Sequence, residues 1–308
     1  MKKMTKLMAL ILAVAMAFSL AACTTEKPAD SGDSAKAAAY DKYLKALDYD
    51  DSGLEELVVA MSPDFAPMEF VDLSRKGTDQ YVGFDVLLSK YIAKELNKKL
   101  VIKPMSFDAT QVAVQTANAD LGISGFSWTE EREKNYFITD WYEAGDNETE
   151  QVVITTTENK EKYATAEGLA GAKVGAQGAS LQKVLVEAQL PDSECILYEN
   201  LNDALAALLT GKIDALAVAY GNGEAFISAN KDKIDFSGFE FVVDEKYKNN
   251  VILVNQNATE LGEQVNAALA KAKAEGVYQG WYEACQLLAE IKTIDELGYD
   301  DAGNKITE

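Results

Sequence analysis

The sequence predicts an α/β protein built as two comparable lobes, each a sheet covered by helices. Short apolar strands alternate with helical stripes of apolar residues along most of the chain. A helix-then-strand unit runs twice: Asp108 to Ser124, its helix ending at Ala119-Asp120-Leu121, and Asp203 to Ala219, its helix ending at Ile213-Asp214-Ala215. Once the first 22 residues and a polar segment are set aside, about 250 residues remain, which suits two domains of roughly 120 each. Repeated strand–helix–strand units imply parallel sheets.

The elements follow in order. Residues 1–22 carry Lys2-Lys3 and an apolar run from Leu7 to Leu20, too short to span a bilayer and ending in Leu20-Ala21-Ala22-Cys23. This stretch resembles bacterial lipoprotein signals. The resemblance implies that Cys23 becomes the first mature residue, carries acyl chains and tethers the chain to the outer face of the cell membrane. Residues 23–54 are expected to be a flexible tether, rich in Ser, Ala, Asp, Lys and Pro at its start, although Ala37 to Leu47 has helical potential. Order begins with the strand Leu57 to Met61. A helix over Phe84 to Leu96 places Phe84, Leu87, Leu88, Tyr91 and Ile92 on one stripe. Leu100 to Met105 is a strand, and a helix from Asp108 to Asn118 follows with Ser106 as its cap. Leu121 to Ile123, Val152 to Ile154, Lys173 to Ala176, Ile196 to Tyr198, Ala215 to Tyr220 and Val251 to Val254 are further strands. Helical stripes lie at Leu181–Ala188, Leu201–Leu209 and Leu261–Ala272.

Composition excludes several functions. The net charge of −21 becomes −24 when Lys2, Lys3 and Lys6 leave with the leader. So acidic a surface repels nucleic acid and anionic headgroups. With no histidine, a Ser/His hydrolase is ruled out and a zinc site is disfavoured. No cofactor is expected. Beyond Cys23, only Cys195 and Cys285 remain. One bridge between them is conceivable, but their apolar neighbours favour two buried thiols. The acidic segment Asp295 to Asn304 lacks the ligand spacing of a calcium loop and reads as part of an exposed tail over residues 291–308.

Chemistry concentrates in Ser124-Gly125-Phe126-Ser127-Trp128-Thr129-Glu130-Glu131-Arg132, just past the carboxyl end of a strand, where open α/β sheets bind ligands. Loop hydroxyls and amides can bond an anion, and an arginine can grip a carboxylate through two parallel bonds. On the residues alone, a surface loop with a solvated arginine fits equally well.

This segment resembles the Ser-x-x-Ser-x-Thr-x-x-Arg signature of the extracellular solute-binding proteins for polar amino acids, receptors of ABC importers. The resemblance spans about Leu57 to Leu288. It includes Phe65-Ala66-Pro67, Gly83-Phe84-Asp85-Val86, Ser106-Phe107-Asp108, Asp120-Leu121-Gly122-Ile123-Ser124, Leu169-Ala170-Gly171-Ala172-Lys173-Val174-Gly175 and Gly211-Lys212-Ile213-Asp214-Ala215. It implies a two-lobed periplasmic-binding-protein-like fold with a central sheet in each lobe and a two-strand hinge, crossing near Glu148 to Ile154 and Phe241 to Asp244. Lobe 1 would be residues 55–147 and 245–290, and lobe 2 residues 148–244. By position, Arg132 would hold the ligand α-carboxylate, helped by Ser127 and Ser180. Ser124 and the Gly125 carbonyl would face the ammonium. Phe107 and Phe65 would wall the side chain, and Trp128 is a further candidate.

Three positions depart from the family pattern. The usual ammonium-binding aspartate is Ala219 here, an upstream aspartate is Ser62, and a common threonine is Leu181. Tyr220, Glu224 or Asp64 could supply the missing acceptor, or the ligand could lack a standard ammonium or bind through water. The resemblance implies a monomeric, non-enzymatic receptor that hands an amino acid to ABC permease subunits. The alternatives are a cyclohexadienyl-dehydratase-like enzyme on the same scaffold, and a ligand sensor for a separate partner.

Overall fold

The computed structural model describes residues 31–142 and 150–290. The leader, Cys23, Glu148-Thr149 of the first expected crossing and the 291–308 tail lie outside the described residues. The chain divides into two units, residues 1–35 and 36–308; of the first, only the opening of helix Ser31–Ala46 is described.

From Lys36 onward the expected tether is in fact ordered. Tyr40 and Leu47 are buried in the same apolar cluster as Phe84 and Trp281. Arg75 and Lys90 pair with Asp41 and Asp48 at 2.7 and 2.6 Å. The sequence hid this because the partners of Tyr40 and Leu47 lie far along the chain.

Two five-stranded sheets carry the rest. The first has order β5-β1-β6-β13-β7, from Lys99–Pro104, Glu56–Met61, Leu121–Ser127, Asn250–Asn255 and Tyr136–Ile138. The second has order β10-β9-β11-β8-β12, from Glu194–Tyr198, Lys173–Gln177, Ala215–Ala219, Gln151–Thr156 and Ile234–Glu240. Three neighbouring strands in each are parallel, and the last two run antiparallel to their neighbours. The sheets are therefore mixed rather than purely parallel as expected. A small antiparallel sheet, Asp64–Phe65, Glu69–Val71 and Tyr81–Val82 (β2 to β4), was not anticipated.

The repeat read from sequence is physical. In each sheet the first parallel strand sits between the second and third, joined by helices: Phe84–Glu95 (α2) and Phe107–Gln115 (α3) in one, Leu181–Gln189 (α5) and Leu201–Leu209 (α6) in the other, with α1 being Ser31–Ala46 and α4 being Glu130–Asn135. The two aspartates that mark the repeat make the same pair of bonds. Asp120 accepts from Val58 N–H through its carboxylate at 2.8 Å and donates its own N–H to Val58 O at 2.9 Å. Asp214 does the same with Lys173 at 2.8 and 2.9 Å. Each closes the orphan end of a parallel strand pair.

Helix ends follow local chemistry. Ser180 and Thr129 accept the backbone N–H three residues on, at 3.1 Å each. Ser106 occupies its predicted cap position, but its hydroxyl is drawn to Asp108 at 2.6 Å. Three helices escaped sequence reading, the short α4, Tyr220–Ala229 (α7) and Tyr278–Ala289 (α9). Thr259–Glu275 (α8) lies between the last strand and α9. Both cysteines are free; Cys285 is buried, and Cys195 only half-buried.

Gly83 opens α2 at φ +123°, and a Cβ there would lie 2.3 Å from Met68 O. Gly171 has φ +74° with nothing within 4 Å. Both substitutions to alanine carry left-handed strain, but only Gly83→Ala adds a backbone clash. In urea unfolding Gly83→Ala should lose about 1–3 kcal/mol more than Gly171→Ala. Equal losses would mean that the close approach at Met68 relaxes without cost.

Candidate functional site

The carboxyl ends of β1, β6, β9 and β11 meet at one cleft, the switch-point position where each strand order reverses. One wall presents Phe65, Phe107, Ser124, Gly125, Ser127 and Arg132; the other presents Gln177, Ser180, Leu181, Gln182, Leu201 and Val218. In this closed arrangement the cavity volume is about 20 Å³, room for about one water. Admission of anything larger requires the walls to separate.

Arg132 dominates the cleft. The strand β6 runs through Ser127, further than the loop expected there, and Thr129 then caps α4, whose third residue is Arg132. Arg132 is only 5% exposed. Its Nη1 donates to Ser127 O at 2.5 Å, Nε to Gln111 Oε1 at 3.3 Å and Nη2 to Ala179 O at 3.1 Å. Its guanidinium lies 5.0 Å from the Phe126 ring centroid and 5.6 Å from that of Phe107. Among the described residues no carboxylate forms an ion pair with it. Burial lowers its pKa from the ordinary guanidinium range to about 10, only partly opposed by the nearby Tyr136 and Glu131.

Ser180 is buried as the cap of α5, donating to Gln177 O at 2.7 Å. The residue before it, Ala179, holds φ +59°, a left-handed conformation unusual for a residue with a Cβ, and aims its carbonyl at Arg132. Gly125 has φ +54°, and a Cβ on it would lie 2.6 Å from Phe65 Cε1, so the ring presses directly on this backbone. Phe107 faces Phe126 at 4.8 Å between centroids.

At the other end of the cleft lie buried acids. Ser124 Oγ donates to Glu69 Oε1 at 2.5 Å and accepts from Ser62 N–H at 2.9 Å. Asp85 Oδ2 accepts from Gly125 N–H at 2.8 Å, and Tyr142 Oη reaches its Oδ1 at 2.9 Å. Asp64 accepts from Ser62 Oγ at 2.7 Å, Gln177 Nε2 at 3.0 Å and Leu201 N–H at 2.7 Å. Burial pushes Asp64 and Asp85 up to about 6 and Glu69 well above the usual carboxyl range.

Of the sequence-predicted residues, Arg132, Ser127, Ser124, Gly125, Phe107, Phe65 and Ser180 come together here. Tyr220 does not: it stacks on Phe236 at 4.7 Å, outside the cleft lining. Trp128 also lies outside, packed beside Tyr247 with Lys246 over its ring. Gln177, Gln182, Leu201 and Val218 were missed; nothing local distinguishes them, because their place depends on the second sheet meeting the first. A larger groove of about 470 Å³ lies between α7 and α9, lined by Glu224, Glu283 and Glu290. It has no buried unpaired charge comparable to Arg132.

Three comparisons agree with this geometry. A putative arginine-binding protein of an ABC transporter from Escherichia coli is 27% identical, covering 74% of this chain and 89% of its own. A probable histidine-binding protein from Campylobacter jejuni is 26% identical over 72% of this chain and 81% of its own. The crystal structure of an amino acid ABC transporter substrate-binding protein from Streptococcus pneumoniae, bound to L-arginine, superposes with a TM-score of 0.70 at 30% identity, covering 77% of this chain and 97% of that one. The profile of bacterial extracellular solute-binding proteins, family 3, matches residues 57–284, and the chain belongs to that family.

Proposed function

We propose that this chain is the receptor of an ABC importer for a polar amino acid, with L-arginine the first candidate ligand. The observation that carries this reading is Arg132, a buried guanidinium in a cleft that forms no ion pair with a carboxylate among the described residues. The lowering of its pKa to about 10 corresponds to on the order of 3 kcal/mol of folding free energy forgone at neutral pH. That cost is present wherever the group is charged, below the folded pKa, and a ligand carboxylate would offset it. The reading has no catalytic step. Cys23 would carry the lipid anchor, and permease subunits would receive the ligand.

In this reading lobe 1 comprises residues 55–147 and 245–290, and lobe 2 residues 148–244, with residues 36–54 packed on lobe 1. Supporting the hinge, Phe241 N–H donates to Gln151 O at 2.8 Å, which pairs the described parts of the two crossing segments. Closure is latched by polar bonds across the cleft: Arg132 to Ala179 O, Asp64 to Gln177 and Leu201, and Asn222 Nδ2 to Ala66 O at 2.9 Å.

A thermal-shift screen of the twenty standard amino acids tests the function. A ligand that binds only the folded form raises the melting temperature; a screen with no shift would reject the reading. With the ligand identified, Arg132→Ala should cost about 3–5 kcal/mol of binding by calorimetry, because the ligand carboxylate is left buried and unpaired. Arg132→Met should abolish binding yet leave the ligand-free protein at least as stable in urea, since it removes a desolvated charge. Retained affinity in either variant contradicts the assignment.

Asp64 gives a pH signature. Its folded pKa of about 6 lies above the ordinary 3.8, so the native state takes up a proton as pH falls through that window and is stabilised by it. Between pH 7 and pH 5 this contributes about 1 kcal/mol. The change in urea stability over that interval should therefore be less favourable by about that amount in Asp64→Asn than in the unmodified protein. Identical changes would place Asp64 in contact with solvent.

A further inference from the structure

Beneath the cleft floor, Glu69 and Asp85 are both fully buried. Glu69 Oε1 is bonded by Ser124 Oγ, whereas its Oε2 is buried with no hydrogen-bond partner. Asp85 is held as an acceptor by Gly125 N–H and Tyr142 Oη. These donors pull Asp85 down against its burial, while burial and the neighbouring Asp85 charge drive Glu69 up. The two carboxyls interact directly, and the opposite pulls on them favour Glu69 as the one that keeps a proton. The pair touches the cleft through Ser124 and Gly125, the two residues expected to meet a ligand ammonium. Opposite, Ala219 supplies no carboxylate.

We infer that the Glu69–Asp85 pair is the counter-charge for the ligand's α-ammonium, and that binding expels the proton the pair holds. The inference rests on the amino-acid reading above and assigns that site's missing acid. The balance is simple. The O–H bond of Glu69 breaks, the proton passes to bulk water and buffer, and the ammonium arrives with the same charge. The buried site keeps one net negative charge among the two carboxyls and one positive charge. Glu69 acts through Ser124 and Asp85 through Gly125, so both are positioning residues. The other titratable groups facing the pair are Tyr142, Tyr278, Asp64 and Cys285. Burial raises Tyr142 and Cys285 above their usual ranges, keeping them neutral at pH 7.5. Asp64, at about 6, is almost fully ionised there and takes up little when the cleft closes.

The test is calorimetric titration at pH 7.5 in phosphate and in Tris, whose ionisation enthalpies differ widely. The titrant is L-arginine, or whichever standard amino acid gives the largest thermal shift. The difference in binding enthalpy between buffers reports protons released. Release of up to about one proton per ligand is expected, with none for the same compound lacking its α-amino group. Glu69→Gln should abolish release and weaken binding by roughly 30-fold or more. Binding by the unmodified protein with buffer-independent enthalpy would overturn the inference while leaving the receptor reading intact. So would release that persists in Glu69→Gln, which would come from the ligand's own ammonium. If Glu69→Gln does not fold, infrared difference spectroscopy of the unmodified protein decides the matter: a protonated-carboxyl C=O band should disappear on ligand binding, and its persistence would overturn the inference. If none of the twenty amino acids binds, the receptor reading falls and takes the inference with it.

Discussion

A buried arginine that forms no ion pair among the described residues is the constraint around which the cleft is organised. The protein desolvates the Arg132 guanidinium, satisfies its N–H groups with two carbonyls and a glutamine side chain, and packs its faces on Phe126 and Phe107. Those neighbours orient the group but do not neutralise it. A carbonyl dipole lowers the cost of a buried cation; only an anion removes most of it. In the proposed reading, folding leaves electrostatic free energy that an anionic ligand recovers once the walls part to admit it. Affinity and conformational change would then be coupled in one side chain, since Nη2 bonds a carbonyl of the opposite wall.

The scaffold that delivers this group is a duplicated strand order. In both sheets an aspartate one residue before the third parallel strand seals the end of the first, Asp120 on Val58 and Asp214 on Lys173. This fixes the register of three parallel strands and leaves their carboxyl ends facing a common cleft. Chemistry is then distributed unequally. Elements packed around the first sheet contribute the guanidinium, on α4, and the buried acids, on β2, β3 and α2; the second sheet and its helices contribute a capped helix start, Gln177 and apolar walls. A buried cation at one end of a small cleft and buried carboxyls at the other describe, in the proposed reading, the complement of a zwitterion.

Much of this was legible because it is local. The stripe from Phe84 to Ile92 has helical period, and the Ser124–Arg132 segment carries its chemistry within nine residues. The repeat was visible because Asp120 and Asp214 each follow a helix of similar pattern. What was not legible depends on long-range contact. Asp64 meets Gln177 across 113 residues. Tyr220 turned away from the cleft because Phe236 offers it a stacking face. The helix at Tyr220–Ala229 contains Gly-Asn-Gly, poor helix formers by propensity, yet Gly223 is required there since a Cβ would lie 2.8 Å from Phe236. Packing outweighed propensity. The segment after Lys36 was misread as tether for the same reason: the burial of Tyr40 is decided by partners far along the chain.

The most direct test of the central claim removes the ligand's carboxylate rather than the protein's arginine. Calorimetry should compare L-arginine with L-arginine amide, which keeps the side chain and ammonium but has no anionic end. If Arg132 is the unpaired cation that the ligand neutralises, the amide should bind at least a hundredfold more weakly. Equal affinity for the two would mean that the carboxylate meets no buried cation, and the account would fail.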